Sequence, residues 1–352
     1  MSNLGRTRLV GVLVAAAAAA GLVFWATLEP QQAAAGWLVG FLFWSQIPVG
    51  SLVLSMIHTL TGGRWGSIVR PVLAPATASL PWLLIAIVPV FVAIPALYPW
   101  VHPIAAVKPD VATHYLNAPF FIGRSVVALA IWSLLAVLIR RPPDRYALLT
   151  AGVGMVLYGL TVSSVAIDWF LSLEPPFVSS SFGASVAIMQ LVTAMAFAAL
   201  LAPTPADDPA VGDIGGLLFA FVLGITYVDF MALLVIWYGD LPHKEFWFVQ
   251  RDRFPWTALA GAWFVLGSAA PILALLLARV RNSRRALRLV AASVLAGSLL
   301  YTAYLVAPPF GVASLVPAAL SVVVVGIVQS LLMTARGLAV SPTDEEASAH
   351  GY

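Results

Sequence analysis

The stretch Ile167-Asp168-Trp169-Phe170-Leu171-Ser172-Leu173-Glu174-Pro175-Pro176 closes a long apolar run, 148–171, and places a carboxylate about one turn inside its end. An apolar run of this length predicts a helix that spans a membrane. A charge at that depth is costly, and it normally faces protein, water or a partner charge instead of lipid. Asp168 is therefore the first candidate functional group of the chain.

A stripe of hydroxyl groups precedes Asp168 on the same predicted helix face. Counting back at helical spacing gives Val165, Ser164, Thr161 and Tyr158. A hydroxyl stripe that ends in a carboxylate can relay protons, but small and hydroxylated residues are also common where membrane helices touch. For the stripe alone, packing is the favoured explanation and the relay is the alternative.

The composition excludes an ordinary soluble domain. The 352 residues are 61% hydrophobic and 9% charged, whereas a globular chain is about a quarter charged. The absence of cysteine excludes disulfides, thiolate zinc sites, iron–sulfur clusters and covalently attached c-type haem within the chain. The net charge is only +3, so we interpret the basic isoelectric point as loop charge and expect no nucleic-acid partner.

Ten apolar runs follow one another along the chain, each long enough to cross about 30 Å of hydrocarbon. We predict an all-α integral membrane protein with ten transmembrane helices in one polytopic domain, 1–340, followed by a disordered cytoplasmic tail, 341–352. The first run lacks a convincing cleavage site and is interpreted as an uncleaved helix. The runs are 9–28, 36–60, 72–97, 117–139, 148–171, 182–201, 214–239, 256–277, 287–307 and 313–333.

Basic residues predict the orientation of these helices. With the N-terminus inside, thirteen basic residues fall in inside segments, four fall in outside segments and Arg124 lies within a span. This positive-inside bias predicts that both termini are cytoplasmic. Two long outside loops, 98–116 and 240–255, carry aromatic and charged residues, which are typical of an interfacial belt or of a docking surface for a periplasmic partner.

Three more polar groups lie within the predicted spans, toward the outer side. Arg124 and Asp168 lie at similar depth in neighbouring spans, so we expect an ion pair with either a structural or a functional role. Asp229 has no obvious partner in the sequence, which makes its carboxyl group a candidate proton carrier. Tyr301 reaches the same outer level from the ninth run.

Histidines are few, and their positions argue against a haem or metal site. A lone histidine near an interface, such as His58, is more often a local hydrogen-bonding residue than a ligand. His58 and His114 lie on opposite sides of the membrane, so this pair cannot clamp one haem. His58 is nevertheless the one candidate for the inner half of a proton path. The proton-pathway candidates are Asp168, Asp229, Arg124, Tyr158, Thr161, Ser164, Tyr301 and His58.

Six short motifs occur in order along the chain. They are Phe41-Leu42-Phe43-Trp44, Leu60-Thr61-Gly62-Gly63-Arg64-Trp65-Gly66, Leu97-Tyr98-Pro99-Trp100, Tyr115-Leu116-Asn117-Ala118-Pro119-Phe120-Phe121, Asp168-Trp169 with the residues to Leu173, and Ile236-Trp237-Tyr238-Gly239-Asp240-Leu241-Pro242. As an ordered set, which covers roughly residues 36–285, they resemble the F subunit of bacterial alternative complex III. That subunit belongs to the polysulfide-reductase membrane-subunit (NrfD-like) superfamily.

The resemblance implies a non-redox subunit, not catalytic alone, of a complex that oxidises quinol and passes electrons toward cytochrome c or an oxidase. It implies two four-helix bundles, about 36–171 and 182–307, flanked by the first and last helices in a bacterial cytoplasmic membrane. No cofactor is expected on this chain. Quinone or quinol is the implied small molecule, with haem and iron–sulfur centres in partner membrane and periplasmic subunits. The implied role is in proton translocation or quinol-site architecture. Asp168 matches the family's Asp-Trp motif, whereas Asp229 stands where the family has a small polar residue.

Two other function classes stay open at this point. Secondary transporters often have helices broken by Gly or Pro with ionisable groups at midplane. Pro48 and Pro89 interrupt runs here, but the polar groups lie off-centre. A purely structural anchor for peripheral redox subunits is the other alternative, and the sequence does not separate it from the proton-conducting subunit.

Overall fold

Ten helices in the computed structural model are long and apolar enough to cross a membrane, as the sequence predicts. The structure describes residues 3–104, 107–140, 145–203, 209–240 and 242–339, and this part of the chain contains no β-strand. The all-α membrane fold is therefore confirmed, while the predicted disordered tail, 341–352, lies outside the described residues. The spans, numbered 1 to 10, are Arg8–Leu28, Pro30–Thr61, Arg64–Val92, Ala118–Ile139, Ala147–Leu173, Phe182–Leu201, Ala210–Tyr238, Trp256–Leu276, Arg284–Val306 and Val312–Ala335.

Several helices extend past the apolar runs at their polar ends. Span 2 begins at Pro30 and span 3 at Arg64, each several residues before the predicted run. A helix satisfies its own backbone hydrogen bonds, and its polar ends are tolerated at the membrane interface. Hydropathy therefore locates the apolar centre of a helix better than its ends.

Two spans are irregular. In span 3 the first helix, Arg64–Ala78, is followed by a 3₁₀ turn, Leu80–Trp82, and by short helices at Leu83–Ala86, Val88–Val92 and Ile94–Leu97. Prolines lie at the start of several of these pieces, where the missing N–H group is tolerated. Span 8 consists of Trp256–Trp263, a π-helical segment Phe264–Ala269 and the helix Ala270–Leu276.

Short helices and turns complete the connections. Pro109–His114 precedes span 4, and Pro242–Val249 follows span 7. The helix Ala278–Arg281 joins spans 8 and 9, and a 3₁₀ turn, Pro308–Phe310, precedes span 10. Most of these segments lie at the end of the protein that holds Asp168, and we call this end the Asp168 end. The opposite end has His58 in the last turn of span 2 and is called the His58 end.

Helix packing divides the spans into two groups. Spans 2 to 5 contact one another, and so do spans 6 to 9. The two groups meet mainly where span 2 packs on span 6. Spans 1 and 10 contact each other, and span 10 lies along span 2. This arrangement agrees with two four-helix bundles, and it puts both flanking helices beside the first bundle.

Span 2 is the most buried helix, because it packs against spans 3, 5, 6 and 10. Glycines allow the closest approaches: Gly36 and Gly40 touch the backbone of span 10 near Ser321, and Gly50 touches the backbone of Gln190 in span 6. The spacing of Gly36 and Gly40 is that of a small-xxx-small helix contact, which is common in membranes. By contrast, span 1 is largely exposed, as expected for a helix that faces lipid.

Candidate functional site

The Arg124–Asp168 ion pair forms at the Asp168 end between spans 4 and 5. Span 4 begins at Ala118 because the Asn117 side chain caps it, accepting a hydrogen bond from the Phe120 N–H at 3.0 Å. This start places Arg124 about two turns into the helix, opposite Asp168. The Arg124 Nε and Nη2 atoms lie 2.7 Å and 2.9 Å from the two carboxylate oxygens, and such two-point pairs are the strongest kind.

Tyr115 also contacts the guanidinium group of Arg124. Its carbonyl oxygen accepts a hydrogen bond from Arg124 Nη2 at 2.9 Å, and its ring lies 3.8 Å from Arg124 Cζ. The Asp168 side chain is 1% exposed and that of Arg124 is 21% exposed. Asp168 therefore carries a fixed, compensated charge in this structure, as expected for a pair that holds two helices together.

Two tyrosines near this pair stay protonated at neutral pH. Burial raises the pKa of Tyr98 well above its ordinary value, and the negative charge of Asp168 raises it further. Burial also raises the pKa of Tyr115, where Asp168 adds to the effect and Arg124 opposes it. Tyr98 donates a hydrogen bond to the Trp169 carbonyl at 3.4 Å. Tyr98 thus ties the residue after Asp168 in place, whereas Tyr115 supports the pair through its carbonyl group and its ring.

The hydroxyl stripe before Asp168 does not form one line. Thr161 accepts a hydrogen bond from Trp132 Nε1 at 2.8 Å and donates to the Leu157 carbonyl, so it joins spans 4 and 5. Ser164 donates to its own helix, to the Leu160 carbonyl at 3.4 Å. Of these three hydroxyl groups, that of Tyr158 bonds to a residue of the second bundle. Thr161 therefore contributes to the packing of two helices, which is the explanation favoured for the stripe from the sequence.

A chain of neutral polar groups crosses the interface between the two bundles. Tyr158 in span 5 donates to Gln190 Oε1 in span 6 at 2.6 Å. Three residues farther along span 6, Thr193 donates to Gln46 Oε1 in span 2 at 2.6 Å. Gln46 Nε2 then donates to the Thr302 hydroxyl in span 9 at 3.0 Å. We call these five residues the buried polar belt.

The buried polar belt is inaccessible from outside the protein, since none of its side chains is more than 5% exposed. Sequence reasoning included Tyr158 but missed Gln46, Gln190, Thr193 and Thr302. Two single glutamines inside apolar runs were the available signal, because polar residues at membrane depth are rare and commonly functional. Sequence reasoning gave weight to charges and to one hydroxyl stripe, so these neutral amides did not stand out.

Asp229 lies in span 7, in the second bundle. The hydroxyl groups of Tyr301 and Ser185 are its interaction partners, and its Oδ2 atom is buried without a hydrogen-bond partner. Tyr301 directly precedes Thr302 in span 9, so a partner of Asp229 and the belt share that helix. No ion pair of Asp229 occurs in the described part of the chain. Among the acidic residues in the described membrane spans, Asp229 is thus the one without a basic partner.

The π-helical segment of span 8 lies next to Asp229 and its partners Tyr301 and Ser185, which we call the Asp229 group. Trp263, the residue before it, stacks on Tyr301 with ring centroids 4.2 Å apart and planes at 14°. Ser293 donates to the Leu266 carbonyl at 2.7 Å, which satisfies one backbone group of the widened turn. Ser268 in the same segment has a buried hydroxyl without a partner. Segments of π-helix are frequent at functional sites.

A second ion pair was not anticipated from the sequence, which places Arg251 in the outside loop 240–255. Arg251 is 2% exposed, and its guanidinium group binds both carboxylate oxygens of Glu174. It also donates to the Trp247 carbonyl at 3.0 Å and lies 3.6 Å above the Trp247 ring. Arg251 is therefore part of the core at the Asp168 end, and the remaining loop charges are the candidates for partner contacts.

His58 does not join the other candidates. It lies at the His58 end, where Nε2 is 3.0 Å from the Gly63 carbonyl and the ring meets Trp65 edge-on. These are local contacts within one turn and its loop. The structure therefore separates the candidates into the Arg124–Asp168 pair, the Thr161 contact, the Tyr158 belt, the Asp229–Tyr301 group, and His58 and Ser164, which make local contacts.

Comparison with known proteins leaves the family unassigned. No protein-family model matches the chain, and no curated protein matches its sequence. The resemblance to the F subunit thus stays a prediction, and a function has to be supported by the polar groups inside the membrane-spanning region.

Proposed function

We propose that the chain is a non-redox integral membrane subunit of a quinol-oxidising respiratory complex similar to alternative complex III, and that it contributes to proton translocation. The single observation that carries the proton role is Asp229, a carboxyl group within a span that has no basic partner in the described residues. The ordered motifs shared with the F subunit support the assignment to a respiratory complex.

Asp229 is a better proton carrier than Asp168. A carrier has to exist in two protonation states during turnover. Asp168 accepts two hydrogen bonds from the Arg124 guanidinium group, whereas the partners of Asp229 in the described structure are the hydroxyl groups of Tyr301 and Ser185. In this proposal the proton passes between Asp229 and the first bundle along span 9, which carries Tyr301 beside Asp229 and Thr302 in the buried polar belt. Amide groups do not carry protons, so in this proposal Gln46 and Gln190 orient hydroxyls and water.

The proposal places the protein in a bacterial cytoplasmic membrane with the Asp168 end facing the periplasm. The support is the thirteen-to-four excess of basic residues on the His58 side. Reporter fusions at Lys108 and Arg284 test this orientation, because the two positions should report the periplasm and the cytoplasm, respectively. Equal reports from both fusions contradict the topology.

The function is tested by the number of protons moved per electron in the reconstituted complex. Asp229→Asn keeps the shape of the side chain and removes its ability to ionise, so quinol oxidation should continue while proton movement falls. Asp213→Asn is the matched control, because Asp213 lies at the His58 end with 41% of its side chain exposed. An unchanged stoichiometry in Asp229→Asn and in Asp168→Asn contradicts the proton role and leaves quinol-site architecture or a structural anchor as the function.

A secondary transporter is the second candidate, favoured by the interruptions of spans 3 and 8. In transporters, broken helices line substrate and ion sites, and here the π-helical segment borders the Asp229 group. Purification from native membranes separates the two functions. Haem and iron–sulfur proteins that co-purify with the chain support the respiratory subunit, whereas a lone oligomer that catalyses uptake supports the transporter.

A further inference from the structure

A groove of about 580 Å³ runs along the outer surface between spans 1, 2 and 10. It lies apart from the Asp229 group and the buried polar belt. The residues that define it are Arg8, Gly11, Trp44, Gly326, Ile327 and Thr334. Its lining is overwhelmingly apolar, and all of these residues belong to membrane-spanning helices.

Trp44 gives the groove a fixed floor. Its indole Nε1 donates to the Val322 carbonyl of span 10 at 2.8 Å. The ring lies directly against Gly326, at a place where any larger residue would meet it. Gly11 on span 1 leaves the opposite wall open, since a Cβ there would touch only Ile327, at 3.7 Å. The groove is thus shaped by small residues on two helices and by one anchored ring.

The length of the groove fits one leaflet of a bilayer. On span 10 it extends from Val322 to Thr334, which is about 18 Å at the rise of an α-helix. One leaflet contributes about 15 Å of hydrocarbon. A single extended acyl chain that enters at one end can therefore follow the groove to near the middle of the membrane.

The headgroup end of the groove is positively charged. Arg8 is exposed there, and it forms no ion pair with the acidic side chains that the structure describes. In the sequence, Arg6 lies just before span 1 and Arg336 lies just after span 10, at the same end of the protein as Arg8. Clusters of basic residues beside a membrane attract anionic lipids.

We propose that this groove binds one anionic phospholipid of the bilayer, with an acyl chain on Trp44 and the headgroup phosphate at Arg8. The inference does not depend on the proposed function, because it rests on different residues at the other end of the protein. The charge at one end distinguishes this ligand from a neutral one: an apolar tail without an anionic headgroup would gain nothing from Arg8.

The test measures lipid retained by the full-length chain from vesicles that contain equal parts of phosphatidylglycerol and phosphatidylcholine. Native mass spectrometry of the protein released from detergent identifies and counts the bound lipid. The wild type should retain phosphatidylglycerol preferentially. Arg8→Gln should reduce that preference about fivefold, the effect of one basic residue near an anionic lipid, whereas Arg279→Gln, an exposed arginine on the second bundle, should not.

A second variant tests the acyl-chain part of the site. Gly11→Leu adds a side chain to the lining of the groove, where a Cβ has ordinary contact with Ile327, and should abolish retention. Gly261→Leu, on an exposed face of span 8 with open space around it, should retain lipid as the wild type does. Equal retention of the two lipids, or retention unaffected by both Arg8→Gln and Gly11→Leu, overturns the proposal. Recovery of a quinone or of a partner protein in place of phospholipid overturns it as well.

Discussion

Arg251 and Glu174 are 77 positions apart in the chain, yet the guanidinium group of one binds both carboxylate oxygens of the other in a buried site. The pair joins the segment after span 7 to the end of span 5, and thereby ties the two bundles together at the Asp168 end. Trp247 stacks on the guanidinium group and on Phe177, so aromatic rings cover one side of the pair.

Replacing Arg251 by lysine should destabilise the protein although the charge is kept. Lysine lacks the planar fork that binds both carboxylate oxygens and stacks on Trp247. We expect the free energy of unfolding in mixed detergent micelles to fall by about 1.5–3 kcal/mol. Arg253→Lys, at an exposed position of the same loop, should stay within about 0.5 kcal/mol of the wild type. Similar losses in both variants would show that the pair makes no special contribution.

Replacing Arg124 should lower the free energy of unfolding far more than replacing an exposed arginine. Arg124→Gln leaves Asp168 charged and buried, at a cost of about 3–5 kcal/mol. Arg64→Gln breaks the exposed pair with Asp213, whose atoms are 3.5 Å apart, and should cost at most about 1 kcal/mol. Unfolding titrations of the two variants make the comparison. If Arg124→Gln is no worse than Arg64→Gln, the buried pair is not structural.

The Gln46→Leu variant tests whether the buried polar belt works with Asp229. It removes two hydrogen bonds, but Thr193 and Thr302 keep bonds to carbonyls of their own helices, so the loss of stability should be about 1 kcal/mol. The number of protons moved per electron should fall, as is also expected for Asp229→Asn. Ser164→Ala is the control, because that hydroxyl binds only its own helix in the described structure. A normal stoichiometry in Gln46→Leu separates the belt from the proton path.

Gly40→Ala should destabilise the contact between spans 2 and 10. The added methyl group would overlap the backbone of Ser321, and overpacking of this kind costs about 1–3 kcal/mol. Gly216→Ala adds the same methyl group to span 7, where nothing lies within 4 Å, and should raise stability by about 0.5–1 kcal/mol through helix propensity. Opposite signs in the two unfolding measurements confirm the close approach.

The sequence predicted those features that depend on local composition or on neighbouring helices. The ten spans follow from hydropathy alone, and the Arg124–Asp168 pair follows from similar depth in consecutive spans. Hydrogen bonds in the buried polar belt join residues 147 and 256 positions apart, and only the packing of distant helices determines which of them meet. Neutral amides also give no charge signal, so Gln46 and Gln190 did not stand out among the apolar residues.

The burial of Arg251 was not predicted, for a related reason. A basic residue in a segment between two spans is expected at the surface, and its burial depends on Glu174 and Trp247 arriving at the same place. Neither contact follows from the composition of the loop. The Asp229–Tyr301 neighbourhood was expected from similar depth, but the position of Ser185 beside them required the structure.

The close contact between spans 2 and 10 also sets an order of events during biosynthesis. Gly36, Gly40 and Trp44 emerge early from the ribosome, whereas their partners Pro317, Ser321, Val322 and Gly326 are made almost at the end of the chain. At a synthesis rate of about 5–20 residues per second, span 2 is in the membrane for about 15 to 60 s before span 10, its main neighbour, is made. During that interval its glycine face has to be covered by lipid or by an insertion factor, so the most central helix of the finished protein is among the last to be enclosed.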